Sequence, residues 1–236
     1  MTSISFVLTS CGRFDLLEQT LDSFFHFNTA PIRQFIVVED SGETGVEALL
    51  RKYPASFEVI VNHETRGQIA SIDAAYRRVS EPLIFHCEDD WLFLRPGFIE
   101  DSIKVIEVDS AASMVNLVIP GILPEMDEVL ESYDLKTVDG VSYRVLASDS
   151  HVLWFGYSFN PGLRRTADYA QLGSFQSIGH ESDLSLHFKS RGMGIAVLEN
   201  RACTHLGEHR HVKDRVFPIT QSKAFKIYWK QKIGSK

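Results

Sequence analysis

Residues 4–119 alternate short apolar runs with stretches of helical periodicity, and this alternation constrains the fold more than any other feature of the sequence. After the first run, for example, Leu17, Leu21 and Phe24 recur at the spacing of one helix face. Strands that alternate with helices in this way predict a parallel sheet covered by helices. We therefore expect an α/β fold with a mostly parallel central sheet flanked by helices. The predicted strands of this half are residues 4–9, 34–38, 57–61, 83–87 and 113–119.

The second half of the sequence has a less regular pattern. Residues 120–150 mix proline, glycine and acids, and one arm of a hairpin is predicted at 141–146. Further on, we expect an aromatic strand at 151–159, a helix that opens near residue 181 and a strand at 194–198. Because no repeat or linker interrupts the chain, we expect a single domain.

The composition is typical of a soluble globular protein rather than of a disordered or fibrous one. The chain has 236 residues, of which 44% are hydrophobic and 23% charged. This is enough for one large domain that buries roughly 70% of its unfolded surface. No apolar run approaches the roughly 20 residues of a spanning helix, and the N-terminus lacks signal-peptide features, so we expect a cytoplasmic protein. Cys11, Cys87 and Cys203 lack CxxC spacing and predict reduced thiols.

The charge is unevenly distributed along the chain. A formal net charge of −7 offers no broad basic face, which argues against nucleic acid as the main partner. Residues 217–236, in contrast, contain no acid and combine lysines with aromatic residues. Such a tail could lie peripherally on the inner face of an anionic membrane, or pack as a solvated helix on its own domain. We therefore distinguish a domain over 1–216 from a basic aromatic tail over 217–236.

Acidic and polar residues follow three of the predicted strands, at the edge where open parallel sheets bind ligands. They are residues 10–13, Glu39 with Asp40, and residues 88–90. The three successive carboxylates at 88–90 would repel one another unless a cation or hydrogen-bond donors lie among them. Mn²⁺ and Mg²⁺ bind carboxylate oxygens and complete their shells with phosphate oxygens. The pattern therefore favours a nucleoside diphosphate site with a divalent metal, and a solvated acidic turn is the alternative.

Further candidates for this chemistry lie in the second half. Glu181 and Asp183 open a predicted helix, where a capping role is the alternative for Asp183. His205 could supply a nitrogen ligand to the same metal. Alternatively, His205, His209 and His211 could form a separate zinc site, although their HxxxHxH spacing is a weak pattern.

Together these segments resemble the family-2 glycosyltransferases of the GT-A fold, which are mostly inverting enzymes that use a nucleotide-sugar donor. The resemblance covers roughly residues 3–119 and 150–207. Its strongest match is the run Phe-His-Cys-Glu-Asp-Asp-Trp, which is similar to the family's DxD-type metal motif. The resemblance implies that Asp90 binds Mn²⁺ or Mg²⁺, that Asp89 contacts the ribose or the donor sugar, and that Glu88 supports the site.

The resemblance extends to the loops expected around the nucleotide. Thr9 and Arg13 match positions of the family's opening segment that contact the base. Glu39 stands where the family's strand-two acid meets the base or ribose, with Asp40 as its neighbour. Arg66 lies in a segment similar to the family's N-x-G loop and would approach the base or the phosphates. With the acidic triplet, these residues make up the implied donor site.

The run Gly-His-Glu-Ser-Asp-Leu resembles the family's G-E-D-x-D-L segment and implies the catalytic group. Aligned on the final Asp-Leu, Glu181 takes the place of the catalytic base and Asp183 that of the helix-opening acid. An inverting transfer needs a carboxylate that accepts the proton of the acceptor hydroxyl as this hydroxyl attacks the anomeric carbon. We expect Glu181 to be that carboxylate, with Asp183 as the alternative.

Aromatic and cationic side chains near these segments are candidates for sugar or acceptor contacts. Trp91, Trp154 and His180 could contact the sugar or the acceptor, and core packing is the alternative for the two tryptophans. Arg164 and Arg165 are expected to form an exposed pair, either solvated or facing an anionic acceptor.

The sequence thus predicts a metal-dependent, inverting glycosyltransferase. It would move a hexose-type sugar from a nucleoside-diphosphate donor, UDP-linked by the resemblance, to a glycan or lipid-linked acceptor in polysaccharide biosynthesis. Residues 1–119 would bind the nucleotide sugar and residues 120–216 the acceptor. One alternative is a sugar nucleotidyltransferase, although the chain lacks the glycine-rich loop of that class. The other is a glycan- or nucleotide-binding module on the same scaffold that has lost catalysis.

Overall fold

The computed structural model describes residues 2–118, 130–131, 133–146, 151, 153–207 and 210. The strands of the first half are β1 (Ile4–Ser10), β2 (Gln34–Glu39), β3 (Phe57–Val61), β4 (Leu83–Glu88), β5 (Trp91–Phe93) and β6 (Ala112–Asn116). Those of the second half are β7 (Lys136–Val138), β8 (Val141–Val145), β9 (Gly162–Arg165), β10 (Gly194–Leu198) and β11 (Cys203–His205). The helices are α1 (Phe14–Phe27), α2 (Val46–Leu50), α3 (Gln68–Tyr76), α4 (Phe98–Val108), α5 (Thr166–Leu172) and α6 (Glu181–Lys189).

Nine of these strands form one sheet, in the order β3-β2-β1-β4-β9-β6-β10-β8-β7, and β5 pairs with β11 in a second, small sheet. Strands β3, β2, β1 and β4 run parallel, as do β6 and β10. β9 enters antiparallel between β4 and β6, and β7 and β8 add an antiparallel hairpin beside β10. The predicted α/β class with a central sheet flanked by helices is confirmed, and its antiparallel strands make the sheet mixed.

Two apolar layers cover the faces of the large sheet. Because successive residues of a strand point to opposite faces, Phe6 and Phe85 enter one layer while Val7 and Ile84 enter the other. Phe24 of α1 packs on Phe6 with a ring-centroid distance of 4.3 Å. The second layer is also aromatic and includes Tyr76, Tyr157, Phe159, Phe175 and Phe188. Burial on both faces explains why these strands are nearly continuous apolar runs in the sequence.

The predicted strand at 151–159 is wrong. Its described residues form bends and irregular backbone, and Phe155 has a φ of +76°. A strand forms instead at β9, which the sequence pattern did not predict. There Gly162 passes so close to β6 that a Cβ atom would lie 2.3 Å from the Val115 carbonyl oxygen. The aromatic residues of the segment fill the second apolar layer from a loop, so their apolar character does not reflect a strand.

The expectation of an exposed arginine pair is also wrong. Arg164 is only 2% exposed, and its Nη1 donates to the hydroxyl groups of Tyr76 at 3.1 Å and Tyr157 at 3.3 Å. Arg165 donates to the carbonyl oxygen of Ala112 at 2.8 Å. Because β9 inserts between two strands of the sheet, both arginines are used inside the fold and neither forms the proposed anionic-acceptor surface.

Helix α1 holds the small second sheet in place. The backbone N–H of Trp91 donates to Thr20 Oγ1 and that of Phe93 donates to Ser23 Oγ, both at 3.0 Å. These two hydroxyl groups therefore satisfy one edge of β5. β11 pairs with the other edge and places His205 opposite Trp91. The pairing explains how a histidine far along the chain reaches the acidic triplet.

Several predicted features lie outside the described residues. They include the tail at 217–236, His209 and His211. Within the part of the chain that is described, no helix has the length and apolar character needed to cross a membrane.

His86, in β4, makes the stability of the fold sensitive to acid. Its ring is 0% exposed, and neither ring nitrogen has a partner among the described residues. Burial, reinforced by the positive charge of Arg164, holds the pKa of His86 well below the ordinary value of 6.5. At lower pH the unfolded chain therefore binds a proton that the folded chain does not, and stability falls as the pH decreases.

Between about pH 7 and pH 5, His86 should cost the native protein about 2 kcal/mol in the free energy of unfolding. We expect His86→Leu to lack this part of the loss. Near pH 7 the free energy of unfolding should stay close to the native value, because the imidazole has no hydrogen bond to lose. Urea unfolding at the two pH values measures both effects. His26→Leu, at an exposed position of α1, is the matched control and should keep the native response to acid. If His86→Leu loses as much unfolding free energy between the two pH values as the native protein does, the explanation is contradicted.

Candidate functional site

The carboxyl ends of β1, β2 and β4 meet at one edge of the large sheet. Their registers place Ser10 beside Glu39 and Thr9 beside Glu88. Asp90 follows in the turn that leads from β4 to β5. The structure thus brings together the predicted donor-site residues of three strands.

Arg13 joins the two aspartates of the acidic triplet. Its Nε donates to Asp89 Oδ2 at 3.3 Å and its Nη1 donates to Asp90 Oδ2 at 2.7 Å, while Nη2 forms a further short ion pair with Asp89. Ser10 Oγ also donates to Asp89 Oδ2, at 3.2 Å. Burial raises the pKa of Asp89 to about 6, against the opposing effect of Arg13. Both carboxylates are therefore held by a cation from the β1–α1 turn.

Asp90 and His205 form a two-residue candidate metal site. His205 Nε2 lies 3.2 Å from Asp90 Oδ2. The other oxygen, Oδ1, is buried and has no hydrogen-bond partner among the described residues. Burial opposes ionisation of Asp90, but the contacts with His205 and Arg13 outweigh it and lower the pKa of this carboxyl group. Asp90 is thus an ionised carboxylate with one unused oxygen.

These two side chains fit a divalent metal that is completed by other ligands. A buried, unpartnered carboxylate oxygen beside an imidazole is a suitable donor pair for such an ion. In the described ranges, no group of three or more His, Cys, Asp and Glu side chains could hold a metal ion. Asp90 and His205 would therefore supply only part of the shell of Mn²⁺ or Mg²⁺, and phosphate or water oxygens would supply the rest.

Glu88 ends β4 among hydrogen-bond donors. Gln68 Nε2 donates to Oε1 at 2.5 Å, and Trp91 Nε1 lies 3.5 Å from Oε2. Burial, and then the charges of Asp90 and Glu181, raise the pKa of Glu88 to about 8. The charge of Glu181, on α6, thus acts on Glu88 at the end of β4.

Glu39 keeps one unused oxygen at the end of β2. The side chain is 0% exposed. Its Oε1 accepts hydrogen bonds from the backbone N–H of Gly12 at 2.8 Å and of Ser41 at 2.9 Å. Its Oε2 is buried and has no partner in the part of the chain that is described. Glu39 is therefore positioned by two loops and can accept a further hydrogen bond.

Asp40, in contrast, anchors the loop before α3. It accepts hydrogen bonds from Asn62 Nδ2 at 2.7 Å and from the backbone N–H groups of Arg66 and Gly67, both at 2.9 Å. The side chain of Arg66 is exposed. Asp40 thus shapes the loop with both of its oxygens, and Glu39 is the acid of this pair with capacity for a ligand.

The first turn of α6 carries two carboxylates in different settings. Glu181 Oε1 accepts the backbone N–H of Phe159 at 3.1 Å. Asp183 is exposed and accepts the backbone N–H of His180 at 2.9 Å, while the His180 ring accepts the N–H of Ser182. This reciprocal pair is a capping box. Asp183 and His180 therefore stabilise the start of the helix, and Glu181 is the acid whose charge acts on Glu88.

The remaining predicted contacts lie close to the apolar core. Trp91 is 6% exposed, and its ring centroid lies 4.8 Å from that of His205. Trp154 is half-buried and packs against the second apolar layer. Thr9 is 8% exposed within β1. The packing of the two tryptophans agrees with the core alternative, and Trp91 also supports a candidate metal ligand.

Three polar residues that contact the carboxylates are not among the predicted donor-site residues. Ser10 binds Asp89, Gln68 binds Glu88, and Asn62 binds Asp40. Ser10 lies in the segment 10–13 that the sequence pattern placed at this edge, although its contact with Asp89 was not predicted. Asn62 and Gln68 lie in the segment that resembles the family's N-x-G loop, but which carboxylates they contact depends on the folded sheet.

A comparison with known protein families gives a match over most of the chain. The model of the family described as Glycosyl transferase family 2 matches residues 5–166. No curated protein matches the chain.

Solved structures with a similar fold include a mannosyltransferase and a second protein, TarS. The mannosyltransferase PcManGT from Pyrobaculum calidifontis, in complex with GDP-Man and Mn²⁺, has a TM-score of 0.66 at 16% identity, covering 88% of this chain and 57% of that one. S. aureus TarS 1–349 has a TM-score of 0.62 at 12% identity, covering 85% and 59%. Its complex with UDP-GlcNAc has a TM-score of 0.60 at 12% identity, covering 96% and 65%. The likeness confirms the predicted GT-A fold, and the chain spans less than two thirds of each of these chains.

Proposed function

The chain belongs to glycosyl transferase family 2, and we propose that it moves a sugar from a nucleoside-diphosphate donor to an acceptor hydroxyl, with inversion and with the help of a divalent metal. The donor is UDP-linked in this proposal, and the acceptor is a glycan or lipid-linked sugar of polysaccharide biosynthesis. The donor lies against the ends of β1, β2 and β4, and the acceptor approaches from the side of α6.

The strongest support for metal dependence is Oδ1 of Asp90, which has no hydrogen-bond partner among the described residues. A buried carboxylate oxygen without a donor is costly, so a ligand is expected to bind there. His205 contacts the same carboxylate and supplies a nitrogen ligand of the kind that divalent metals accept. When bound, Mn²⁺ or Mg²⁺ would neutralise negative charge on the departing diphosphate.

Support for the nucleotide comes from Glu39. Its buried Oε2 lacks a partner among the described residues, and a base N–H or a ribose hydroxyl would provide the missing donor. Asp89 and Arg13 lie at the next strand end, within reach of the ribose and phosphates in this proposal. The similar structures contain GDP-Man in one case and UDP-GlcNAc in another, so guanine is tested beside uracil.

Glu181 is the proposed catalytic base. The Phe159 N–H fixes its Oε1, and no described residue engages its Oε2. Glu181 would take the proton of the acceptor hydroxyl while the hydroxyl oxygen bonds to the anomeric carbon. The bond from this carbon to the diphosphate breaks on the opposite face, which gives inversion.

The C-terminal tail carries a separate prediction, that the protein binds peripherally to the cytoplasmic face of a membrane. Removing residues 217–236 should reduce binding to anionic vesicles, and more so at low salt than at high salt, because the lysines act through screened electrostatic attraction. Co-sedimentation with vesicles measures this effect. Equal vesicle binding by the full-length and shortened proteins would contradict a membrane contact through this tail.

Calorimetric titration with UDP, GDP, CDP and dTDP, each with and without Mn²⁺, tests the proposed donor site. We expect one nucleotide, UDP in the first instance, to bind only when Mn²⁺ is present. Binding of a different base under the same condition would keep the site and change the donor. If none of the four nucleotides binds, with or without Mn²⁺, the proposed function is contradicted.

A further inference from the structure

We propose that Arg13 is a built-in counter-cation that competes with the divalent metal for Asp90. The inference rests on the proposed function, since it concerns the same metal site. Arg13 immediately precedes α1, and its side chain is 15% exposed. Its guanidinium spans both aspartates of the triplet, through Nε and Nη2 to Asp89 and through Nη1 to Asp90. A single guanidinium thus pairs with both carboxylates.

The competition follows from what surrounds Asp90 Oδ2. This oxygen lies 2.7 Å from Arg13 Nη1 and 3.2 Å from His205 Nε2. Gly207 packs against this oxygen so closely that a Cβ atom at residue 207 would lie 2.3 Å from Oδ2. A divalent ion bound to Oδ1 of the same carboxylate, with His205 as a second ligand, would therefore lie close to a guanidinium charge. Like charges this close and partly buried repel strongly, so the bound metal and the Arg13–Asp90 contact weaken each other.

The burial of the aspartates explains why such a cation is needed in the protein without metal. Asp89 is 1% exposed and Asp90 is 4% exposed. Two adjacent buried carboxylates without a cation would be strongly destabilising. Arg13 supplies the positive charge until the metal arrives. Once released from Asp90, Nη1 of Arg13 can donate to an oxygen of an incoming diphosphate, while Nε and Nη2 stay on Asp89.

Electron paramagnetic resonance of free Mn²⁺ tests the competition directly, without any need for turnover. In the absence of nucleotide, Arg13→Met should bind Mn²⁺ roughly tenfold more tightly than the native protein, because a charge-assisted hydrogen bond no longer opposes the metal. Arg13→Lys keeps the charge but loses the fork, and should bind Mn²⁺ with an affinity between the two. Arg78→Met is the matched control. Its guanidinium pairs with Glu58 rather than with the triplet, so its Mn²⁺ affinity should stay near the native value.

Thermal unfolding provides a second readout on the same proteins. Arg13→Met should unfold at a lower temperature than the native protein in metal-free buffer, and Mn²⁺ should raise its unfolding temperature by a larger amount. If Arg13→Met fails to fold without metal, refolding with Mn²⁺ should restore its circular dichroism spectrum. If Arg13→Met refolds no better with Mn²⁺ than without it, the inference is overturned.

One pair of results would contradict the competition between Arg13 and the metal and leave the proposed function intact. In this case the native protein binds UDP with Mn²⁺, but Arg13→Met binds Mn²⁺ no more tightly than the native protein does. If the native protein binds neither Mn²⁺ nor any nucleotide, the proposed function fails and the competition fails with it.

Discussion

Replacing Glu181 by Gln is expected to reduce sugar transfer by roughly 10²- to 10⁴-fold, which is the usual contribution of a positioned general base. Nucleotide binding should remain close to the native level, because Glu181 lies on α6, whereas the proposed donor site is formed by the strand-end carboxylates. The amide keeps an oxygen that can accept the Phe159 N–H, so the variant should also keep its fold. Transfer rates and calorimetric titration with the same nucleotide measure the two effects. Retained turnover in Glu181→Gln would contradict the assignment of Glu181 as the catalytic base.

Asp183→Ala is the matched control from the same turn of α6. Asp183 accepts the His180 N–H in a capping box, so its loss should cost about 1 kcal/mol of stability and leave the transfer rate nearly native. Urea unfolding and transfer rates measured on one preparation separate these effects. If Asp183→Ala loses transfer while Glu181→Gln keeps it, the roles of the two carboxylates must be exchanged.

The second large effect is expected from Asp90→Asn. The substitution removes the charge of one of the two protein ligands of the proposed metal, and Mn²⁺-supported nucleotide binding should weaken by roughly 100-fold or more. Without Mn²⁺, neither the native protein nor the variant should bind the nucleotide. Calorimetric titration with and without Mn²⁺ measures the difference. Asp101→Asn removes a carboxylate that pairs with Arg95 away from the site, and should bind like the native protein. Unchanged Mn²⁺-supported binding in Asp90→Asn would show that the metal binds elsewhere.

The parallel part of the sheet could be predicted because its signal is local. β1 and β4 are buried on both faces and therefore read as continuous apolar runs, and the stretch that becomes α1 shows a clear apolar stripe. β9 could not be predicted in this way. It depends on Gly162 approaching β6 within a distance that only a glycine permits, and on a buried arginine whose partners lie on other elements.

The three-residue strands β5 and β11 escaped prediction for a related reason. Runs this short carry no usable periodicity, and their pairing depends on hydroxyl groups of α1 that are distant in the sequence. The consequence matters for the site, since this pairing delivers His205 to Asp90. The histidine was proposed as a ligand from its residue type and its place after a predicted strand, and the fold supplies the physical route.

Within the site, the sequence located the carboxylates better than it assigned their partners. The rule that ligands bind at the carboxyl ends of parallel strands was enough to single out Glu39 and residues 88–90. The different uses of Glu39 and Asp40 depend on which backbone N–H groups point at them, as does the capping role of Asp183. Backbone directions of this kind are set by tertiary packing, and residue type alone does not encode them.

³¹P nuclear magnetic resonance of a nucleotide sugar incubated with the protein tests the central claim most directly. UDP- and GDP-linked sugars are supplied with Mn²⁺ and with a glycan or lipid-linked sugar as acceptor. We expect the signals of the sugar diphosphate to be replaced by those of free nucleoside diphosphate, with the native protein and not with Glu181→Gln. Conversion to nucleoside triphosphate on addition of pyrophosphate, or an unchanged nucleotide sugar that calorimetry shows to be bound, would contradict glycosyl transfer.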